Sequence, residues 1–115
     1  MIQQEKLKIL PPILREKERY ISFRIISEET IVYSDLESSI WQTLLEFYGE
    51  RGLSEMSMWL VKNLYNEVKK IGVIRCNNKS VSKVIAGLGL ITRLGEGRVN
   101  FKIEKVSGTI RGLRL

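Results

Sequence analysis

The sequence predicts an α+β domain: a ferredoxin-like βαββαβ sandwich, the shape of an RNA-recognition domain, with an antiparallel sheet and both helices on one face. Three observations carry the prediction. Apolar and polar residues alternate at Tyr20 to Ile26 and again at Arg98 to Ile103, the period of a half-buried strand. Apolar residues recur at three- and four-residue spacing after Ser34 and after Ser80, the period of an amphipathic helix. Between those helices, two apolar runs flank Asn66-Glu67 as the arms of a hairpin would.

Each element has its own justification. Residues 1–18 read as an N-terminal arm before a single domain of 19–115. Pro11-Pro12 blocks both helix and central strand there, and Arg15 to Arg19 is a mixed charge run. In the first strand Ile21, Phe23 and Ile25 share one face, and Tyr20, Ser22 and Arg24 the other. Ser27-Glu-Glu-Thr30 is a polar connector. Ser34-Asp-Leu-Glu37 has the form of a capping box, with Ser34 as N-cap and Glu37 reaching back. Leu36, Ile40, Leu44, Phe47 and Tyr48 continue that helix, and Gly49 and Gly52 are its stop signals. Met58 to Tyr65 reads as the second strand and Lys69 to Cys76 as the third. Apolar residues on both faces of Ile71 to Ile74 suit a central position. Asn77 to Ser80 offers caps for a helix carrying Val81, Val84, Ile85 and Leu88. Ile91 to Leu94, Gly95-Glu-Gly97 and Arg98 to Ile103 form a second hairpin, with Val99, Phe101 and Ile103 facing inward. Ser107-Gly-Thr109 is a turn, and Ile110 to Leu115 a tail. The expected core is Ile21, Phe23, Ile25, Ile40, Leu44, Val84, Ile85, Leu88, Val99 and Phe101.

Composition narrows the function. The chain has 115 residues, 43% hydrophobic and 28% charged, which suits one globular domain. A single cysteine excludes an internal disulfide framework. The longest apolar run, Val84 to Ile91, is far short of the ~20 residues of a membrane helix. With no signal-peptide pattern at the start, the expected compartment is the cytoplasm. Histidine is absent, which removes the usual general base, the commonest metal ligand and every Ser-His or Cys-His nucleophile. A metal site is not expected in this chain, and carboxylate or lysine chemistry is what remains open to an enzyme.

Charge is unevenly spread. Residues 1–60 carry seven basic and ten acidic side chains, whereas residues 61–115 carry twelve and three. A half at +9 inside a chain at +6 points to a polyanionic partner, nucleic acid ahead of a membrane surface. The candidate phosphate contacts are Arg15 and Arg19 of the arm, with Arg24, Arg75, Lys79, Arg93, Arg98, Lys102, Lys105 and Arg111; Arg114 is a further basic group of the tail. For any one of them, solubility is the simpler role. RNA-recognition domains stack bases on aromatics of the two central strands. Here the first strand offers only Tyr20 on that face and the third offers none, since Lys70-Ile-Gly-Val-Ile-Arg-Cys76 does not match the aromatic signature. Gly87-Leu-Gly89 and Gly95-Glu-Gly97 lack the context of a nucleotide loop. Cys76 reads as a small buried hydrophobe. Glu28 and Glu29 are discounted as an acid–base pair because neighbours on a strand end diverge. Trp41 and Trp59 suit core or edge packing first and interface anchoring second. Tyr20, Trp59 and Tyr65 are the candidate protein-interface residues.

Several segments taken together carry a resemblance: Leu10-Pro-Pro-Ile-Leu-Arg15, Arg19-Tyr-Ile-Ser-Phe-Arg-Ile-Ile-Ser-Glu28, Ile40-Trp41, Gly72-Val-Ile-Arg-Cys76, Leu90-Ile-Thr92 and Val106-Ser-Gly-Thr-Ile110. Their order and spacing resemble the archaeal ribonuclease P protein component 2 family over nearly the whole chain. The resemblance implies a subunit of the ribonucleoprotein endonuclease that removes 5′ leaders from precursor tRNA. It implies catalysis by the RNA, with divalent metal ions such as magnesium held by that RNA and no cofactor in this chain. It also implies ribonuclease P protein component 3 as the protein partner, and homodimerisation within a two-fold assembly.

Two other readings remain at this point. A homodimeric ferredoxin-like regulatory or small-molecule-binding domain would leave the basic half unexplained. An acylphosphatase-like enzyme would need an arginine after the first strand, where Ser27-Glu-Glu-Thr30 is acidic.

Overall fold

The computed structural model describes residues 17–115; most of the expected arm, including Pro11, Pro12 and Arg15, lies outside them. The elements follow in the order β1 (Glu18–Ile26), α1 (Tyr33–Met56), β2 (Trp59–Leu60), a 3-10 turn (Lys62–Leu64), β3 (Ile71–Asn77), α2 (Val81–Gly89), β4 (Arg93–Leu94), β5 (Gly97–Arg98), β6 (Asn100–Ser107) and a final 3-10 turn (Arg111–Leu113). The main sheet runs β2-β3-β1-β6, and every pairing in it is antiparallel. This is the ferredoxin-like order that the βαββαβ pattern predicts. No helix among the described residues is long and apolar enough to cross a membrane.

The core lies between the sheet and the helices. Ile21, Phe23 and Ile25 of β1 are buried with Leu36, Ile40 and Leu44 of α1, Val84 and Leu88 of α2, and Val99 and Phe101. Full burial of such side chains stabilises by roughly 1.5–3 kcal/mol each. Ile85 is the exception among the expected core residues: it packs on the cluster but stays half-buried. Phe23 and Phe101 meet with ring centroids 5.4 Å apart, tilted by 42°. Opposite Phe23 on β3 stands Gly72. A Cβ there would lie 2.6 Å from Phe23 Cζ and 3.1 Å from both Cε atoms. The ring therefore fills the space a side chain at position 72 would take.

Several local expectations are corrected. The first helix begins at Tyr33, with Val32 rather than Ser34 as N-cap, and no side chain caps it. The Glu37 carboxylate does not reach back to the helix start: Tyr33 Oη donates to Glu37 Oε2 at 2.9 Å and lies 3.0 Å from the Leu60 carbonyl. Tyr65 Oη donates to the Ile31 carbonyl at 2.6 Å, and the two tyrosine rings lie 6.2 Å apart. Together they tie the entry of α1 to the β2–β3 connection. Gly49 does interrupt the helix, at φ 73° and ψ 174°, a conformation glycine adopts without strain. The helix then resumes to Met56, because Leu53 and Met56 give the second piece a buried face of its own.

The second strand is only Trp59–Leu60, since the chain turns into a 3-10 helix at Lys62. The hairpin itself stands: Asn66 and Ile71 exchange backbone hydrogen bonds of 2.9 and 3.2 Å. The expected last hairpin divides. Arg93–Leu94 pairs with Gly97–Arg98 as a separate two-stranded piece, while Asn100–Ser107 joins β1 in the main sheet, with a bulge between Ser22 and Phe23.

Two measurements check this account. Gly72→Ala should lower the urea midpoint by the equivalent of about 1–3 kcal/mol, the usual cost of overpacking. The Tyr33 hydroxyl is pushed up from 10.0 to about 12, first by burial and then by the hydrogen bond and charge of Glu37. The unfolded chain ionises first, so this stability is complete below about pH 10 and declines as pH rises towards about 12. Tyr33→Phe should flatten that alkaline decline in pH-dependent thermal melts.

Candidate nucleic-acid interface

Strand alternation gives the sheet a second face, turned away from both helices. The register places its residues in rows. Trp59, Arg75, Tyr20 and Ser107 stand side by side across β2, β3, β1 and β6. Val73, Ser22 and Lys105 form the next row, and Ile71, Arg24 and Lys102 the third. In an RNA-recognition domain of this shape, the two central strands would offer this face to stacked bases.

The middle row is closed. Val73 and Ser22 are exposed by only 0% and 2%, although the helices lie on the opposite side. The chain itself supplies the cover. After Ser107 it turns back, and the 3-10 turn Arg111–Leu113 lies against β1 and β6. Leu113 is buried at 4%, yet it stands outside the helix-side core, as does Val73. The turn is held by its own hydroxyls: the Thr109 N–H donates to Ser107 Oγ at 3.2 Å, and the Gly112 N–H donates to Thr109 Oγ1 at 3.0 Å. These local side-chain bonds are the turn-forming chemistry of Ser and Thr. They give the Val106-Ser-Gly-Thr-Ile110 motif a structural role.

Cations ring this plug. Arg24 pairs with Glu104 at 2.9 Å and Arg75 with Glu18 at 3.8 Å. Both pairs are largely solvent-exposed, where a pair contributes roughly 0–1 kcal/mol, so a phosphate can displace the carboxylate. Lys102, Lys105, Arg111 and Arg114 are exposed and belong to no ion pair among the described residues.

The structure separates the other expected contacts. Arg19 lies at one end of the sheet, where its Nη1 would sit 3.4 Å from a Cβ at position 108. Lys79 is at that same end, just after β3. Arg93 and Arg98 lie at the opposite end, directly across from one another in the β4–β5 hairpin. Arg15 is outside the described residues. Arg24, Arg75, Lys102, Lys105 and Arg111 are thus the subset that shares the sheet face. The grouping with Arg114, and the closing role of Leu113, were missed in the tail; the three-residue spacing of Ile110 and Leu113 was the available signal.

Of the expected protein-interface residues, Tyr20 and Trp59 share one row of this face. Trp59 is 59% exposed, and Tyr20 Oη donates to Glu18 Oε2 at 3.4 Å. Trp41, at 38%, is also exposed, so neither tryptophan is core. Tyr65 is committed to the Ile31 carbonyl.

A cavity of about 710 Å³ lies between the β1–α1 connector and the β4–β5 hairpin. Glu28, Glu29, Asp35 and Glu96 line it, with Arg98 at its side. Glu28 and Glu29 reach the same cavity because their connector is bent rather than extended. Its charge is wrong for phosphate. Among the described residues, no group of three or more His, Cys, Asp or Glu could hold a metal ion. Cys76 is buried, and burial pushes its thiol up to about 11, far from a thiolate at neutral pH.

Comparison with known proteins bears on the fold and the family. One solved structure with the same fold is a chain in yeast ribonuclease MRP, with a TM-score of 0.64 and 14% identity, covering 82% of this chain and 76% of that one. Ribonuclease P protein component 2 of Pyrococcus furiosus is 37% identical over 96% of this chain and 90% of its own length. The protein of the same name from Methanocaldococcus jannaschii is 40% identical over 96% and 80%. The model of the Rpp14/Pop5 family matches residues 19–115. This chain therefore belongs to the Rpp14/Pop5 family.

Proposed function

We propose that this chain is a protein subunit of ribonuclease P, the ribonucleoprotein that removes 5′ leaders from precursor tRNA, and that it works in the cytoplasm. The observation that carries this is the match of the whole domain to relatives named ribonuclease P protein component 2. The sheet face supports it, since Lys102, Lys105 and Arg111 gather there with no ion pair to a carboxylate among the described residues. A homodimeric regulatory domain gives no reason for that charge.

In this role the protein performs no bond cleavage. Its cations neutralise phosphates where segments of folded RNA approach each other, which lowers their repulsion and favours the active shape. The RNA supplies the reaction, with its own divalent ions. The protein partner is ribonuclease P protein component 3, docked at the exposed Trp59 edge beside Tyr20. A second copy of the chain completes a two-fold assembly.

Affinity for ribonuclease P RNA, titrated against salt with and without the partner, tests this. Each phosphate contact adds about 0.9 to the log–log slope on duplex-like RNA. The expected result is a slope of several units and a preference for the cognate RNA when the partner is present. Replacing Lys102 and Lys105 with Ala should lower the slope by roughly two units without changing the melting temperature. Weak, salt-independent binding in every combination would overturn the subunit assignment.

A further inference from the structure

We propose that the C-terminal strap, Arg111–Leu113, converts the sheet face from a surface for unstacked bases into a grip on the phosphates of paired RNA; this rests on the RNA-binding assignment above. Two kinds of RNA contact are open to a sheet of this shape. Single strands splay their bases onto exposed aromatics of the central strands, whereas duplexes are held through backbone phosphates and hydroxyls. The first mode needs an open centre. Here the centre is Ser22 beside Val73, both buried, with no aromatic between them. The strap lies over β1 and β6 and carries Leu113 into the face as an apolar plug. A base cannot reach the middle row of the central strands without unseating Leu113; Tyr20 in the next row is the one aromatic of those strands on this face.

The strap also adds charge where it removes access. Arg111 and Arg114 flank Leu113 on the exposed side, close to Lys102 and Lys105 on the adjoining strand. A plug that is apolar at its centre and cationic at its rim suits a ribose–phosphate backbone rather than a base edge. The Ser107 and Thr109 hydroxyls fix the strap to the end of β6, so these cations keep their position relative to the sheet.

The experiment uses the full chain and two probes, a 20-base-pair RNA duplex and a 20-nucleotide oligouridylate. The unmodified protein should bind the duplex at least tenfold more tightly. The Arg111→Ala/Arg114→Ala pair, which leaves Leu113 in place, should lower the duplex salt slope by about 1.8 units. Lys83→Ala, on the helix layer, should leave it unchanged. Leu113→Asp should erase the duplex preference, with folding verified by circular dichroism. Equal or tighter binding of oligouridylate by the unmodified protein would overturn the strap assignment. So would an unchanged slope in the double-arginine variant. Either result, alongside retained binding of ribonuclease P RNA, leaves the subunit assignment standing. Absence of salt-dependent binding to any RNA overturns both.

Discussion

Everything in this domain depends on the seating of Phe23. Its ring is fully buried on the central strand, against Phe101 on one side and over the bare backbone of Gly72 on the other. That contact fixes the register of β1 against both neighbours. Register in a sheet decides which residues face the core, and a slip of one position would turn every side chain over. With Phe23 inward, Ser22 and Arg24 face outward, and so do their partners Val73, Ile71, Lys105 and Lys102. The position of the cations thus follows from the position of one aromatic ring.

The same register makes the molecule two-sided in charge. The first helix carries Asp35, Glu37, Glu46, Glu50 and Glu55 against Arg51 alone. The far side of the sheet gathers Arg24, Arg75, Lys102 and Lys105, with Arg111 and Arg114 on the strap. Opposite fields on opposite layers orient a polyanion before contact. They leave the helix layer and the acidic cavity beside the β4–β5 hairpin for surfaces of other chemistry. A strongly basic half in the sequence becomes one basic face because β3 and β6, both from that half, flank β1 in the sheet.

The corrections share a cause. Ser34 and Glu37 have the form of a capping box, but the tertiary partner won: the Tyr33 hydroxyl, anchored on Leu60, engages Glu37. Gly49 carries a stop signal, but Leu53 and Met56 could still bury a helical face, so the helix bends and continues. Met58 to Tyr65 has strand composition, but pairing with β3 holds only its first residues. In each case local propensity, worth about 1 kcal/mol, met a packing or hydrogen-bonding alternative of equal or greater size.

By itself the sequence determined the order of elements, the central strands and nearly all of the core, because those follow from periodicities of two and 3.6 residues along the chain. The resemblance in its motifs pointed to the family, and the uneven charge to a polyanion. Only the tertiary structure decided which cations act together and which face they share. Arg98 and Lys102 are near neighbours in sequence, yet one sits on the hairpin and the other on the sheet. It also decided that Ile110 to Leu115 is a strap rather than a tail. Leu113 is buried on the face where Ser22 and Val73 stand, residues far apart along the chain that become neighbours only when β1 and β3 pair.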